Sequence, residues 1–297
     1  MKNIVMFCGK GGVGKTTCAA ATALHYANDG KKTIIISTDF TPSLRDIYEI
    51  EDVEKPAKIA DGLYLDEIGY EEIERLWDQK FGPEVYGVFS TVVDISYKEF
   101  VSFVATIVPG IRDEFMVDYI RELSESAEYE RIVWDTAPAG QTLGLLGMPS
   151  IVNEHLKPAP RIYSRLKASR KTKRSVLDVI KGWEELSNKD MEFLRNDVEF
   201  NLVTIPEALA VRQLDNIIGE FQSYGLSINN MIINHVVKDP DSDFLRTKAA
   251  MQQGYISEIS AKCGGNQRIL YMFPYEVKGM ERLKEAERVL FDNDFSI

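Results

Sequence analysis

Gly9-Lys10-Gly11-Gly12-Val13-Gly14-Lys15-Thr16-Thr17 holds the residue types that grip a nucleoside triphosphate. From Gly9 to Thr16 the spacing is G-x-x-x-x-G-K-T, the phosphate-loop pattern. Glycines let backbone N–H groups turn inward around phosphate oxygens, where a side chain would clash. Lys15 is expected to reach the β and γ phosphates, and the Thr16 hydroxyl to sit on Mg²⁺.

Two aspartates and an asparagine stand at the ends of apolar runs. Asp39 follows Thr33-Ile34-Ile35-Ile36-Ser37. A carboxylate there can orient an attacking water or bind Mg²⁺ through water; a plain turn aspartate is the bland alternative. Asp135 follows Ile132-Val133-Trp134 and precedes Thr136-Ala137-Pro138-Ala139-Gly140. That is where a Walker-B-like acid sits close to the metal, with small residues and Gly140 expected to form a loop that rearranges as the γ-phosphate leaves. Asn234, read as the end of a further strand, offers a donor and an acceptor suited to one edge of adenine, or serves as a turn residue. His25, His155 and His235 have no ligand spacing and read as structural or solvated.

These groups need a scaffold that presents strand ends. Ile4-Val5-Met6-Phe7-Cys8 reads as a buried strand before the glycine loop, and Cys18–Leu24 as helix after it. The helix N-terminus adds unpaired N–H groups and partial positive charge. Further strand candidates lie at Leu63–Leu65, Phe200–Thr204, Asn230–Asn234 and Arg268–Phe273, with a helix at Glu207–Ser223. Alternation of this kind implies right-handed βαβ units in a doubly wound, mostly parallel sheet, with ligands beyond the strands' carboxyl ends. The chain of 297 residues is read as one α/β P-loop domain over 1–297, carrying helical insertions near 77–111 and 150–196.

Composition narrows the functions. Net charge is -11, which disfavours nonspecific nucleic-acid binding; no nucleic-acid partner is expected. Cys8, Cys18 and Cys263 form no C-x-x-C pair, which suits a reducing cytoplasm and no cysteine-rich metal site. No signal peptide is read before the first strand, and the longest charge-free apolar piece, Phe100 to Ile111, is too short to span a bilayer. A soluble, cytoplasmic protein is therefore expected. The first insertion is rich in apolar residues: Val85, Val88, Phe89, Val92, Val93, Phe100, Val101, Phe103, Val104 and Ile107. They either pack as ordinary core or line a groove, an arrangement that is costly unless functional. Lys157, Arg161, Arg165, Lys167, Arg170, Lys171, Lys173 and Arg174 form a basic run without acids, a face for solvent, an anionic lipid surface or an acidic partner.

Taken together, these motifs resemble the ArsA-type branch of the deviant Walker A ATPases. That branch includes the arsenite-pump ATPase and the ATPase that targets tail-anchored membrane proteins. The loop GKGGVGKTT has the family form, DTAPAGQTLGLL from Asp135 resembles its switch II, and IPEALAVRQLDNIIGEF with IINHVV resembles its later core helix and adenine-reading strand. MFPYEVKGMERL from Met272 resembles its closing segment. The resemblance implies a homodimer that binds ATP and Mg²⁺ at a shared face, with Lys10 reaching the partner's nucleotide in the manner of an arginine finger. It implies phosphate contacts from Gly9, Lys10, Gly11, Gly12, Val13, Gly14, Lys15, Thr16 and Thr17. Asp39 aligns with the switch I catalytic aspartate, Asp135 with the switch II aspartate, Asn234 with the adenine-binding asparagine, and Pro274 with the base pocket. Metal ligation falls to Thr16, Asp39 and Asp135.

There are departures from the family pattern. Asp39 is followed by Phe40-Thr41-Pro42, not Pro-Ala, and the zinc-binding cysteine positions align with Ser242 and Leu245. No zinc clasp and no metalloid-binding cysteine cluster is expected. The implied function is an ATPase switch, with Asp39, Lys10 and Lys15 catalytic, that targets or chaperones hydrophobic transmembrane helices with the help of a membrane-associated receptor. The alternatives are the ATPase subunit of an anion or metalloid transporter, and a MinD- or ParA-like spatial organiser. The latter sits poorly with the acidic end Phe291-Asp292-Asn293-Asp294-Phe295-Ser296-Ile297.

Overall fold

The computed structural model describes residues 2–39, 43–51, 55–90, 94–101, 111–158, 176–262 and 266–291. Phe40, Thr41, Pro42, Val92, Val93, Phe103, Val104, Ile107, Cys263, the tail after Phe291 and the basic run beyond Lys157 lie outside the described residues. The same holds for the side chains of Val88, Phe89 and His155.

In chain order the elements are β1 Ile4–Cys8, α1 Lys15–Asn28, β2 Thr33–Ser37, α2 Leu44–Tyr48, β3 Ala57–Ala60, β4 Leu63–Glu67, α3 Tyr70–Phe89 and α4 Ile111–Glu125. Then come β5 Arg131–Asp135, α5 Ala139–Leu156, α6 Val176–Asn196, β6 Val198–Thr204, α7 Ala208–Ser223, β7 Ile228–Val236, α8 Asp243–Lys262, β8 Asn266–Tyr271 and α9 Gly279–Phe291. The strands form an eight-stranded sheet ordered β3-β4-β2-β5-β1-β6-β7-β8. All neighbours pair in parallel except β3, which runs antiparallel to β4 at the edge. The result is the P-loop NTPase-like α/β fold expected from the alternation of elements.

The central strands are apolar on both faces because each face is covered, as parallel sheets require. Val5, Phe7, Ile35, Val133, Val203 and Ile232 pack in one cluster with Cys18, Ala20 and Leu24 of α1 and Leu283 and Leu290 of α9. The small side chains of Cys18-Ala19-Ala20-Ala21 let α1 lie close on the sheet. The alternate residues face the other way; there Phe200 of β6 meets Phe221 of α7 edge-on, with ring centres 5.2 Å apart. Cys8 and Cys18 are buried packing residues, and burial pushes both thiols up to about 12.

Three local readings needed correction. Helix α1 starts at Lys15, three residues before Cys18, so Lys15 is itself helical. Gly140 is not in a loop; it lies in the first turn of α5, which begins at Ala139. Asn234 does not end its strand but lies inside β7, next to a register shift. Strand β3 went unread because Ala57-Lys58-Ile59-Ala60 is short and only weakly apolar.

The chain divides into two compact units. One comprises residues 1–68, 126–143 and 197–297 and contains the whole sheet; the other comprises 69–125 and 144–196 and is helical. In the helical unit Phe81 meets Phe115 of α4 and Trp183 of α6 edge-on, at 6.0 and 5.9 Å. Val85 and Phe100 are buried there, and Val101 is half-buried. Its core also holds charge. Arg121 Nε donates to Asp190 Oδ1 at 2.6 Å and Nη1 to Glu125 at 2.8 Å, while Nη2 bonds Asp118. Lys80 bonds Asp118 and Glu122.

Candidate active site

The glycine loop spans the six residues between Cys8 and Lys15. Two of its glycines are forced by close approach. At Gly9 an added Cβ would overlap the Val203 carbonyl oxygen. At Gly14, with φ 90°, it would overlap the side-chain amide of Asn234. Side chains are thus excluded where the loop meets β6 and β7.

Three hydrogen bonds hold the loop, one from β7, one from the start of α5 and one from Lys15 at the start of α1. Asn234 Nδ2 donates to the Val13 carbonyl at 2.9 Å, and the backbone N–H of Ala139 donates to Gly9 at 2.9 Å. Lys15 Nζ donates to the Lys10 carbonyl at 3.2 Å. Gly14, at the start of α1, makes no side-chain capping bond, so the helix opens with uncapped backbone N–H groups. This end of α1 faces a cavity of about 670 Å³, a size that suits a small-molecule ligand.

Gly11, Gly12, Gly14, Lys15, Thr16, Thr17, Asp39 and Asn234 line that cavity. Gly9, Lys10 and Val13 belong to the loop without lining it. Pro274 is not a lining residue, although its neighbours Phe273 and Tyr275 are. Asp135 stands behind the wall, in contact with Thr16, whose hydroxyl donates to its carboxylate. The strand register explains this meeting. β5 lies between β1 and β2, so Asp135 pairs with Phe7 on one side and Ser37 on the other.

The electrostatics are those of a compressed charge cluster. Burial lowers the pKa of Lys15, while Asp135 and Asp39 pull it back up. Burial pushes Asp135 up to about 7; the Thr16 hydroxyl and Lys15 oppose this, and Asp39 adds to it. One oxygen of Asp135, Oδ1, is buried with no hydrogen-bond partner. A buried oxygen of this kind, beside a hydroxyl and a lysine, is suited to a hard cation or to a proton.

The segment after Asp135 is tied down by hydroxyls. Thr136 Oγ1 donates to the Phe7 carbonyl at 2.7 Å, and Thr142 Oγ1 to that of Ala137 at 2.7 Å. On the other wall, His235 has φ 58° and its N–H donates to Asn234 Oδ1 at 2.7 Å. Gln252 braces the bulge. Its Nε2 donates to the His235 carbonyl, and its Oε1 accepts from the Val237 N–H, both at 2.9 Å. Asn234 therefore spends one donor on the phosphate loop and one acceptor on its own neighbour.

Several lining residues escaped the sequence reading. Ser43, Asp46 and Ile47 come from α2 and the turn before it, and Tyr275, Glu276, Val277 and Lys278 follow β8. His235, read from sequence as structural or solvated, is exposed and also lines the cavity. The signal for the first two groups was positional: each directly follows a strand on the site side of the sheet. Gln252 carried none, because it acts from mid-helix on a bulge that only the fold creates.

A nucleotide-sized cavity at the carboxyl end of a parallel sheet, floored by a phosphate loop and backed by a strand-end aspartate, defines a P-loop NTPase. The chain belongs to the ArsA family, the anion-transporting ATPases, whose family model matches residues 2–292. It is an ATP-binding and ATP-hydrolysing enzyme of that family. It is similar to "Putative arsenical pump-driving ATPase 2" of Aquifex aeolicus (strain VF5), 29% identical over 304 residues that cover 97% of this chain and 98% of that protein. It is also similar to the ATPase GET3A of Arabidopsis thaliana, 28% identical over 298 residues (93% of this chain, 80% of that protein). The ATPase ASNA1 homolog 1 of Paramecium tetraurelia is likewise 28% identical over 298 residues, covering 93% of this chain and 88% of that protein. Among the described residues no helix is long and apolar enough to cross a membrane.

Proposed function

We propose that the chain is a Mg²⁺-dependent, homodimeric ATPase in which ATP binding and hydrolysis change the posture of the dimer, and that it targets or chaperones hydrophobic helices of tail-anchored membrane proteins. One observation carries the enzymatic half: Lys15, Thr16 and Asp39 converge on one cavity, with Asp135 directly behind Thr16. Lys15 and the N–H groups of Gly11, Gly12, Gly14, Lys15, Thr16 and Thr17 bind the phosphates. Gly9 and Val13 set the loop, and Lys10 acts across the dimer seam. Thr16, Asp135 and Asp39 would hold Mg²⁺; the unpartnered Asp135 oxygen and the oxygen-only donor set fit that ion. When bound, Mg²⁺ neutralises charge on the β and γ oxygens. Asp39 orients the attacking water at the mouth of the loop, and Asn234 and Pro274 contribute to the base side.

The client half rests on the helical unit and on kinship with the GET3-type ATPases. A membrane-associated receptor is a further partner of this reading, and the cytoplasm its location. A second reading, the energising subunit of an anion or metalloid pump, draws on the name of the Aquifex relative.

The test has two arms. Lys15→Ala is expected to abolish ATP binding, while Asp39→Asn binds ATP and does not turn it over; turnover by Asp39→Asn at the wild-type rate removes Asp39 from the catalytic role. Co-expression with a tail-anchored protein, with and without its transmembrane helix, should give co-purification only with the helix. Equal recovery from both rejects helix recognition, and hydrolysis stimulated by arsenite supports the pump reading instead.

A further inference from the structure

Asp39 is placed by the residue before it. β2 alternates, with Ile35 on the α1 face and Ile34 and Ile36 on the other. Continuing that alternation places Thr38 on the far face and returns Asp39 to the cavity, which it lines. Trp134 of β5 is the register partner of Ile36 and shares its face. Its indole Nε1–H donates to Thr38 Oγ1 at 3.0 Å. Trp134 is fully buried and Thr38 4% exposed, so water cannot replace the bond. The Thr38 backbone N–H also donates to the Asp135 carbonyl, at 3.1 Å. Residue 38 is therefore held by two bonds to consecutive residues of β5, one to the backbone of Asp135 and one to the side chain of Trp134.

We propose that Trp134 and Thr38 are positioning residues for hydrolysis: the indole, from behind the sheet, fixes the residue that aims Asp39 at the attacking water. Neither side chain touches substrate. The inference rests on the reading of Asp39 as the water-orienting carboxylate. Trp134 has a large aromatic body and a single donor, so Phe at this position keeps an aromatic ring in the core and loses the bond together with part of the packing. Val at 38 removes the same bond from the other side. Ser at 38 keeps the acceptor.

The experiment is steady-state ATP hydrolysis by full-length Trp134→Phe, Thr38→Val, Thr38→Ser and the Trp134→Phe/Thr38→Val double variant, beside Asp39→Asn. A neutral hydrogen bond that acts only on geometry supports a fall in kcat of about three- to tenfold. That fall is expected for Trp134→Phe and Thr38→Val, with KM for ATP within about twofold of wild type. The double variant should be no worse than the more impaired single variant, because both remove one bond. Thr38→Ser should keep wild-type kcat. Should Trp134→Phe fail to fold, the near-isosteric Thr38→Val still decides. Wild-type kcat in Thr38→Val, or losses that simply multiply in the double variant, overturns the inference. If Asp39→Asn is inactive in the same assay, only this inference falls. If Asp39→Asn turns over normally, the reading of Asp39 falls and takes the inference with it.

Discussion

The nucleotide unit and the helical unit each bury an aspartate whose carboxyl is pushed up to about 7, Asp135 in one and Asp190 in the other. Each leaves one carboxylate oxygen buried without a hydrogen-bond partner. By burial and protonation they are twins. Their neighbours separate them. Asp190 sits in a helical core, its other oxygen bonded by Arg121, which also binds Asp118 and Glu125. That network closes on itself across α3, α4 and α6. Asp135 ends a central strand, accepts from Thr16 and feels Lys15 and Asp39, which line a cavity large enough for a nucleotide. A perturbed carboxyl is thus a weak sign of chemistry by itself; it becomes a strong one where its partners open onto a ligand-sized space.

The sharpest way to break this contrast is to neutralise Asp135. Asp135→Asn is expected to lower kcat by about 10³-fold, since a carboxylate that supports the charge at the transferring phosphoryl group is worth several kcal/mol. Steady-state hydrolysis at saturating Mg²⁺ and ATP measures it. Loss of less than about tenfold would leave Asp135 no more functional than Asp190.

Arg121→Met is the counterpart in the helical unit. It leaves Asp118 and Asp190 buried without their shared cation and is expected to cost about 3 kcal/mol or more of stability. Urea unfolding gives the loss, and kcat per folded molecule should stay at the wild-type value. A fall in kcat comparable to that of Asp135→Asn would show that the helical network takes part in the chemistry.

A pH series reads the proton on Asp135 itself. Aspartate has an ordinary value of 3.8, and folding raises Asp135 to about 7. Between those values the folded state binds the extra proton. Its contribution to stability is therefore fully present below about pH 4 and lost as pH rises through 7. Nucleotide-free Asp135→Asn should show a shallower decline in urea midpoint between pH 5 and 8 than wild type. An unchanged slope would mean that Asp135 is already ionised in the folded protein.

The smallest expected effect tests the frame around the site. Tyr48 of α2 donates its buried hydroxyl to the Ala20 carbonyl of α1 at 3.0 Å. Tyr48→Phe should cost about 1 kcal/mol of stability and leave ATP affinity within about twofold. A larger loss of affinity would show that this bond couples α2 to the phosphate loop.

How much of this was legible beforehand depends on how local each feature is. The phosphate loop was readable because its chemistry is contiguous: glycines, lysine and threonine act within one turn between a strand and a helix. β2 and β5 were readable because fully buried parallel strands appear as unbroken apolar runs. Asp39 and Asp135 could be marked because they directly follow those runs. The start of α1 was misjudged because Lys15 and Thr16 look like loop chemistry, although their backbone is already helical. Gly140 was misread for the converse reason. Glycine and alanine suggest a flexible turn, but Pro138 leads directly into the helix.

The order of residues along the chain was enough to specify a triphosphate-binding loop and an alternating α/β frame, since both depend on short-range sterics and on burial period. Folding alone determined which distant residues became neighbours. Strand order seats β5 between β1 and β2, so Asp135 and Thr16 meet, Trp134 reaches Thr38 and Asn234 closes on Gly14. The same is true of Arg121 and Asp190, which are paired across two helices. Such partnerships span tens to hundreds of positions, and no local pattern encodes them; they arise when the sheet registers and the helices pack.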